Sequence, residues 1–458
     1  MHPHCRRACL PCPCGAVITG HRVLAGYLRH IRYLNLPCTM MKQFMTRTAF
    51  FCTLLVCALP VQAAPDLPLQ PLADKPALIK IKGMPGKVYY VPSTPETIKW
   101  GYLPNASDAP LLSVPSGAVV VFDTLSHEGL LEDQGRDPRA FFGAHGVSPQ
   151  MVLKDAQAIT SSSLPHDFAI DGPHIITGPV AVEGAEPGDV LQVDVLAVVP
   201  RVPYGVVSSR HGKGALPGEY PQGPKPDPSA SAAAPEGYRN VSVFTPIRKN
   251  KRGKWEGVMH NRDGAEITFP TAPFMGVMGV AAATTEAVHS VSPGVYGGNI
   301  DINDLGAGTT VYLPVFVKGA NFYTGDPHMA QGDGEVALTA LEHSMRASFR
   351  LTLLKKGDPR IPSASGSLLK PFGETASHWV TIGLHPDLDE AMKDAVRESL
   401  RFLTEVMGMD AAMAYAYLSA ATDYQVSQVV DRTKGIHALI RKSDFARVPS
   451  QLTSKKPR

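Results

Sequence analysis

Cysteine is missing from nearly the whole chain: Cys5, Cys9, Cys12, Cys14, Cys38, Cys52 and Cys57 account for all seven in 458 residues. Beyond position 57 no disulfide can form and no thiolate can act as nucleophile or metal ligand, so cysteine-dependent hydrolysis is excluded for a chain trimmed there. A basic excess is missing as well. The formal charge of +3 rests on Arg6, Arg7, Arg22, Arg29, Arg32, Lys42 and Arg47, and no carboxylate precedes position 64. Without that segment the balance turns slightly acidic, which argues against a nucleic-acid partner. After residue 63 no apolar run approaches the length of a membrane span, and no repeat recurs at a fixed period. The chain contains no G-x-S-x-G, no H-E-x-x-H, no Walker loop and no G-x-G-x-x-G after a strand, so serine-elbow, zincin, nucleotide and dinucleotide chemistries have no motif to stand on.

What is present begins with an export signature. From Met41 the sequence has a basic start (Lys42, Arg47), an apolar stretch from Ala49 to Leu59, and the small-residue ending Val61-Gln62-Ala63. This is the layout of a cleavable secretory signal over 41–63, too short to anchor and ended by Pro60. Removal after Ala63 leaves a protein expected in the bacterial periplasm or secreted, with no membrane contact after cleavage. Residues 1–40 precede a complete signal and read as an upstream extension that is not native.

The rest reads as β-rich. Strand-type runs bounded by Gly and Pro turns occupy Lys87–Val91, Ala118–Asp123, Val190–Val199, Thr309–Val317 and Ala347–Lys355. Helical spacing is clear near Pro386–Gly408, through Leu388, Met392, Val396, Leu400, Leu403 and Met407. A second, Ala-rich helix is expected over Asp410–Ala421, with Met413, Tyr417 and Leu418 on one side, and a strand Val426–Val430 closes the fold. The expected class is α+β with packed β-sheets or a barrel-like β core and a C-terminal helical segment. Residues 221–237, rich in Pro, Ala and Ser, form a loop or linker between a β-rich half at 64–220 and a second at 238–458 that ends in helices.

Two polar clusters could carry chemistry. In Gly325-Asp326-Pro327-His328-Met329-Ala330-Gln331-Gly332-Asp333-Gly334-Glu335, four ionisable side chains share a short Gly-rich stretch. Extended backbone turns Asp326 and His328 to one side and Asp333 and Glu335 likewise, and the glycines allow the bend that would join the pairs. Imidazole with carboxylates suits Zn²⁺ or a similar divalent ion, and a carboxylate outside the ligand set can act as general base. The alternative is a polar turn with surface carboxylates. Upstream, Gly297-Gly298-Asn299-Ile300-Asp301 places Asn299 and Asp301 on one face, where Asn299 can hydrogen-bond an amide and Asp301 can bind metal or orient a base; a hairpin turn with an Asx cap is the competing interpretation. Isolated histidines at 127, 166, 174 and 211 are more often structural than ligating.

Taken together, Thr177-Gly178-Pro179, Val182-Glu183-Gly184-Ala185-Glu186-Pro187-Gly188-Asp189, Pro273-Phe274-Met275-Gly276-Val277-Met278-Gly279-Val280, Gly297 to Asp301, Leu313-Pro314-Val315 and the Gly325 to Glu335 stretch resemble the acetamidase/formamidase family over about residues 80 to 445. The resemblance implies an amidohydrolase releasing ammonia from short aliphatic amides, with a divalent metal, Zn²⁺ first among candidates, in a homo-oligomer. Carried over by position, it implies catalytic roles for Glu335, Asp333 and Asn299, with Glu335 as general base, and metal ligation by Asp301, Asp326 and His328. The export signal and the expanded 221–237 region depart from that pattern and leave open a larger or cyclic amide, an ester, or an exported binding protein without turnover.

Overall fold

The computed structural model describes residues 69–449. The extension at 1–40 and the signal at 41–63 lie outside the described residues. Val, Ile, Leu and Phe alternate with polar positions over short segments broken by Gly and Pro, and this pattern assembles two large sheets. In one sheet the order is Ala77–Ile79, Val88–Val91, Ala118–Asp123, Met345–Leu354, Val190–Pro200, Thr310–Pro314, Phe372–Glu374, His378–His385, Lys434–Arg441, Asp423–Gln428. The other runs from Glu266–Pro270 through Trp255–His260, Val241–Lys249, Tyr204–Ser209, Leu341–Glu342, Phe322–Ala330 and Phe274–Val280 to Gly297–Asn299. Ile175–Val182 joins this second sheet beside Phe322–Ala330. Both sheets take strands from either side of the exposed 221–237 segment, so the two sequence halves interleave.

The sheets meet face to face on one apolar core. Phe122 and Phe349 from the first sheet and Phe322 from the second pack edge to face, with ring centroids 5.3–5.9 Å apart. Val193, Val311, Met275 and Met278 are buried in the same cluster. Burying each such side chain contributes about 1.5–3 kcal/mol, which makes this layer the rigid support for everything attached to its edges.

The C-terminal helices pack outside. Asp387 caps Leu388–Arg401 by accepting from the Glu390 N–H at 3.0 Å, and a single π-turn, Phe402–Val406, extends it. Its deepest side is the small-residue ridge Ala391, Ala395 and Ser399, which lets the helix lie against Gly383, where any β-carbon would meet the Ala391 carbonyl. The Ala411–Ala421 helix buries Leu418, whereas Met413, expected on one side with it, is 63% exposed. The strand expected at Val426–Val430 occupies Asp423–Gln428 and is not the last: Lys434–Arg441 inserts between it and His378–His385, burying Ile436, Ala438 and Ile440. Among the described residues no helix is long and apolar enough to cross a membrane.

Candidate functional site

Three carboxylate residues sit in the left-handed backbone region that non-glycine residues seldom adopt: Asp301 (φ 47°), Asp326 (φ 49°) and Glu335 (φ 48°). Such positions cost of order 1–3 kcal/mol each and cluster where a site requires them. For Asp326 the reason is visible in the strand Phe322–Ala330. Phe322 and Met329 both face the core at an odd spacing, which strict alternation forbids, so one residue between them must break the period. The adjacent strand Phe274–Val280 supplies the space: a β-carbon on Gly276 would press on the Asp301 carboxylate and come within 2.8 Å of Asp326 Oδ2 and 2.9 Å of His328 Cε1. The Gly276 carbonyl also accepts the Ile300 and Asp301 N–H groups at 3.1 and 3.3 Å, which ties the Asp301 turn to the same point.

Asp301, Asp326 and His328 converge so that one ligand atom from each lies within 4.8 Å of the others, and Glu335 joins through trios with Asp301 and Asp431 and with His328 and Glu342. All are buried. Asn299 is buried too and lines a cavity together with Asp326 and Glu335. Asp333 is not brought in: it is exposed and accepts a hydrogen bond from Asn303 Nδ2 at 3.0 Å. The alternation that pairs Asp333 with Glu335 fails because the chain there is a turn, with Glu335 N–H on the Gly332 carbonyl, so the two side chains part.

Four further members come from distant segments. His127 follows the strand Ala118–Asp123, and its Nδ1 lies 3.8 Å from both Asp326 Oδ1 and Glu342 Oε2. His174 precedes Ile175–Val182 with Nε2 3.6 Å from Asp326 Oδ2. Glu342 pairs across from His328, with Oε1 3.1 Å from His328 Nε2. Asp431 sits in the turn before Lys434–Arg441. The two histidines are visible in sequence as isolated imidazoles, whereas Glu342 and Asp431 carry no local signal.

Hydrogen bonding fixes how these groups present themselves. Gln331 donates from Nε2 to the Asp301 and Ser427 carbonyls, each at 3.0 Å, which leaves its Oε1 to accept from His328 Nδ1 at 2.9 Å. With Nδ1 donating to Gln331, it is Nε2 of His328 that faces the carboxylates. His174 Nδ1 bonds Ser290 Oγ at 3.0 Å. Behind His127, Glu128 is 3.1 Å from its Nε2 and is itself held by Arg210 at 2.9 Å, with Asp133 on the same guanidinium at 2.8 Å.

Five buried carboxylates face three imidazoles, and the acidities follow. Burial and then Glu335 and Asp431 push Asp301 well above the usual carboxylate range; burial and then Asp431 do the same to Glu335. Burial also pushes Glu342 and Asp431 up to about 7. Asp326 goes the other way, because His174 and His328 outweigh its burial. Burial opposes charge on His328, but Glu342 and Asp326 hold its proton affinity well above normal. Both oxygens of Asp301, Oδ1 of Asp326, Nε2 of His328 and Oδ2 of Asp431 are buried without a hydrogen-bond partner. Unpartnered donor atoms of this hard-to-borderline kind, in a pocket kept open by Gly276, fit a divalent cation.

Packed, mostly antiparallel sheets with a buried imidazole–carboxylate centre under a cavity of about 420 Å³ define a β-rich protein with a metal-compatible pocket. The chain belongs to the acetamidase/formamidase family, whose model matches residues 157–285 and 270–440. It is similar to a formamidase of Methylophilus methylotrophus, 28% identical over 40% of this chain and 52% of that protein, and to an acetamidase of Mycolicibacterium smegmatis, 28% identical over 47% and 62%. The chain thus spans only about half to three-fifths of these curated relatives. An acetamidase structure from Bacillus halodurans covers 78% of this chain and 99% of its own at a TM-score of 0.58 and 25% identity. A Yersinia enterocolitica acetamidase structure, at 23% identity and a TM-score of 0.59, shares the fold.

Proposed function

We propose that the protein is an amidohydrolase that cleaves linear carboxamides to carboxylate and ammonia. The convergence of Asp301, Asp326, His328 and Glu335 under one cavity, in a member of this family, carries the reading. Asp301, Asp326 and His328 would hold the cation, with Zn²⁺ the best match to a mixed imidazole and carboxylate set. Such an ion supplies Lewis acidity toward a carbonyl and acidifies water. Asn299 donates its side-chain amide to the substrate carbonyl where negative charge develops. Glu335 takes the proton from the attacking water and returns it to the departing nitrogen. Burial and Asp431 raise its proton affinity toward what a shuttle near neutral pH requires. Outside the site, exposed Val241, Val243 and Ile267 on sheet strands support a homo-oligomer. The residue 41–63 signal supports action in the periplasm or outside the cell.

The test is ammonia release from formamide, acetamide and propionamide by the purified protein, before and after chelation and zinc restoration. Chelator-sensitive release restored by zinc, and lost by a factor of about 10² or more in Glu335→Gln, is the expected result. Full release by Glu335→Gln removes Glu335 from the mechanism, and no release from any amide by folded, zinc-loaded protein removes the amidase reading.

A further inference from the structure

The cavity above the carboxylates is large for the smallest amides: formamide is only modestly bigger than a water molecule, whose share of liquid volume is about 30 Å³, whereas this space is about 420 Å³. Its walls include apolar Leu131, Phe168, Ile170, Pro217 and Leu338, and two exposed cations, Lys213 and Arg432, line it, opposite in character to the buried Asn299, Asp326 and Glu335. We propose that the substrate is a longer amide carrying a carboxylate at the end away from the carboxamide, bound there by Lys213 and Arg432. This rests on the amidohydrolase reading and names its substrate class.

The charges around the cavity sort cleanly. Arg210 is spent on Glu128 and Asp133, Asp171 on the Tyr102 hydroxyl and the Asp167 N–H, and Lys434 on the Pro386 carbonyl. Lys213 and Arg432 have no side-chain hydrogen bond or ion pair among the described residues. Desolvation by the surrounding protein, then the charges of Arg210 and Arg432, lower the proton affinity of Lys213 although its side chain reaches solvent. An anion between Lys213 and Arg432 relieves that repulsion.

Both cations sit on pinned loops. Gln428 Oε1 accepts the Val430 and Asp431 N–H groups and its Nε2 donates to the Thr433 carbonyl, a brace that turns Asp431 inward to the buried cluster and Arg432, at φ 63°, outward. On the facing loop, buried Arg210 anchors one end while the Ala215 N–H bonds the Val336 carbonyl, leaving Lys213 exposed between them. The loop backbones are thus already set for a ligand, which leaves the rotamer freedom of the two side chains as the ordering cost. With the carboxylate held by the two exposed cations, the uncharged carboxamide is the end left to reach Asn299 and Glu335 on the buried part of the same lining.

The experiment compares amides matched in length, butyramide with succinamate and valeramide with glutaramate, on the purified zinc-loaded protein. The ratio of anionic to neutral kcat/KM is expected to be at least tenfold, to fall at least tenfold in Lys213→Ala/Arg432→Ala, to persist in Lys213→Arg, and to shrink at high salt. A ratio near one in the wild type, or one unchanged in the double variant, overturns the proposal while leaving amide hydrolysis intact. If no amide is turned over, the amidohydrolase reading fails separately. Calorimetric binding of succinamate then decides: tenfold weaker binding in the double variant supports the anion site, and equal or absent binding overturns it.

Discussion

Gly276→Ala isolates the cation pocket from the rest of the fold. Gly276 has no positive φ, so alanine can take its backbone, and the whole effect comes from space. The added carbon would lie 2.8 Å from Asp326 Oδ2, whereas ordinary contacts begin at 3.4 Å, so that carboxylate must retreat by about 0.6 Å, and Asp301, which is closer still, by more. Ligand distances tolerate only about ±0.2 Å. The fold itself loses little: overpacking costs about 1–3 kcal/mol, offset by about 0.8 kcal/mol for burying the methyl. The expected variant is therefore folded, with a thermal midpoint within several degrees of the wild type, and binds far less than one zinc per chain after dialysis against equimolar metal. Elemental analysis and a melting curve on the same sample read both quantities. A folded Gly276→Ala protein with wild-type zinc content and ammonia release would refute the placement of the cation between Asp301, Asp326 and His328.

Three other expectations test the supports of the site. Gln331→Leu removes the acceptor that keeps the His328 proton on Nδ1, and zinc affinity is expected to fall about 10–100-fold, read by competition with a chromogenic chelator, with a stability loss of about 1–3 kcal/mol because the Asp301 and Ser427 carbonyls lose their donor. Arg201→Met strips the cationic partner from buried Asp155, 2.7 Å away, while Asp123 keeps Arg346 and the Tyr90 hydroxyl, and is expected to destabilise by about 3–5 kcal/mol in urea unfolding; a loss under 1 kcal/mol would show the pair to be dispensable. His343 is fully buried, and burial lowers its pKa from 6.5 to about 4. Below pH 6.5 the unfolded chain binds a proton the native state refuses, so stability is lost as pH falls from about 6.5 to 4, by about 3 kcal/mol from this residue. Urea midpoints at pH 7 and 4.5 should converge in His343→Leu relative to the wild type, and an identical pH slope in both would remove His343 from the account.

The strands were legible where a run of apolar side chains is buried. Ala118–Asp123 is found at its expected bounds because Val120, Val121 and Phe122 demand burial whichever neighbour they meet. Lys434–Arg441 was missed although Ile436, Ala438 and Ile440 alternate, because its place between two other strands is set by long-range pairing. Helix spacing located Leu388–Arg401, and with Leu403 and Met407 it found buried positions beyond it, but it carries no signal for the side that lies deepest. A hydrophobicity pattern favours Met392 and Val396, whereas close approach to Gly383 selects Ala391 and Ala395.

The site divides along the same line. Asp326, His328 and Glu335 are close in sequence, and Asp301 follows a glycine pair, so local spacing was enough to bring them under suspicion. Spacing failed for Asp333, where a turn at Gly332 to Glu335 replaces the extended chain that alternation assumes. It was silent on Glu342 and Asp431, which reach the centre only through the pairing of Leu341–Glu342 with Phe322–Ala330 and through the Gln428-braced turn. That turn joins the two halves of the functional proposal. The same few residues aim Asp431 at the buried cluster, where it raises the proton affinity of Glu335, and Arg432 at the cavity mouth. A substitution at Gln428 should therefore disturb proton transfer and carboxylate recognition together, whereas Lys213→Ala should disturb recognition alone. Measuring the pH profile of kcat alongside the succinamate-to-butyramide ratio in both variants separates the two, and a Gln428→Ala protein altered in only one of them would break the link.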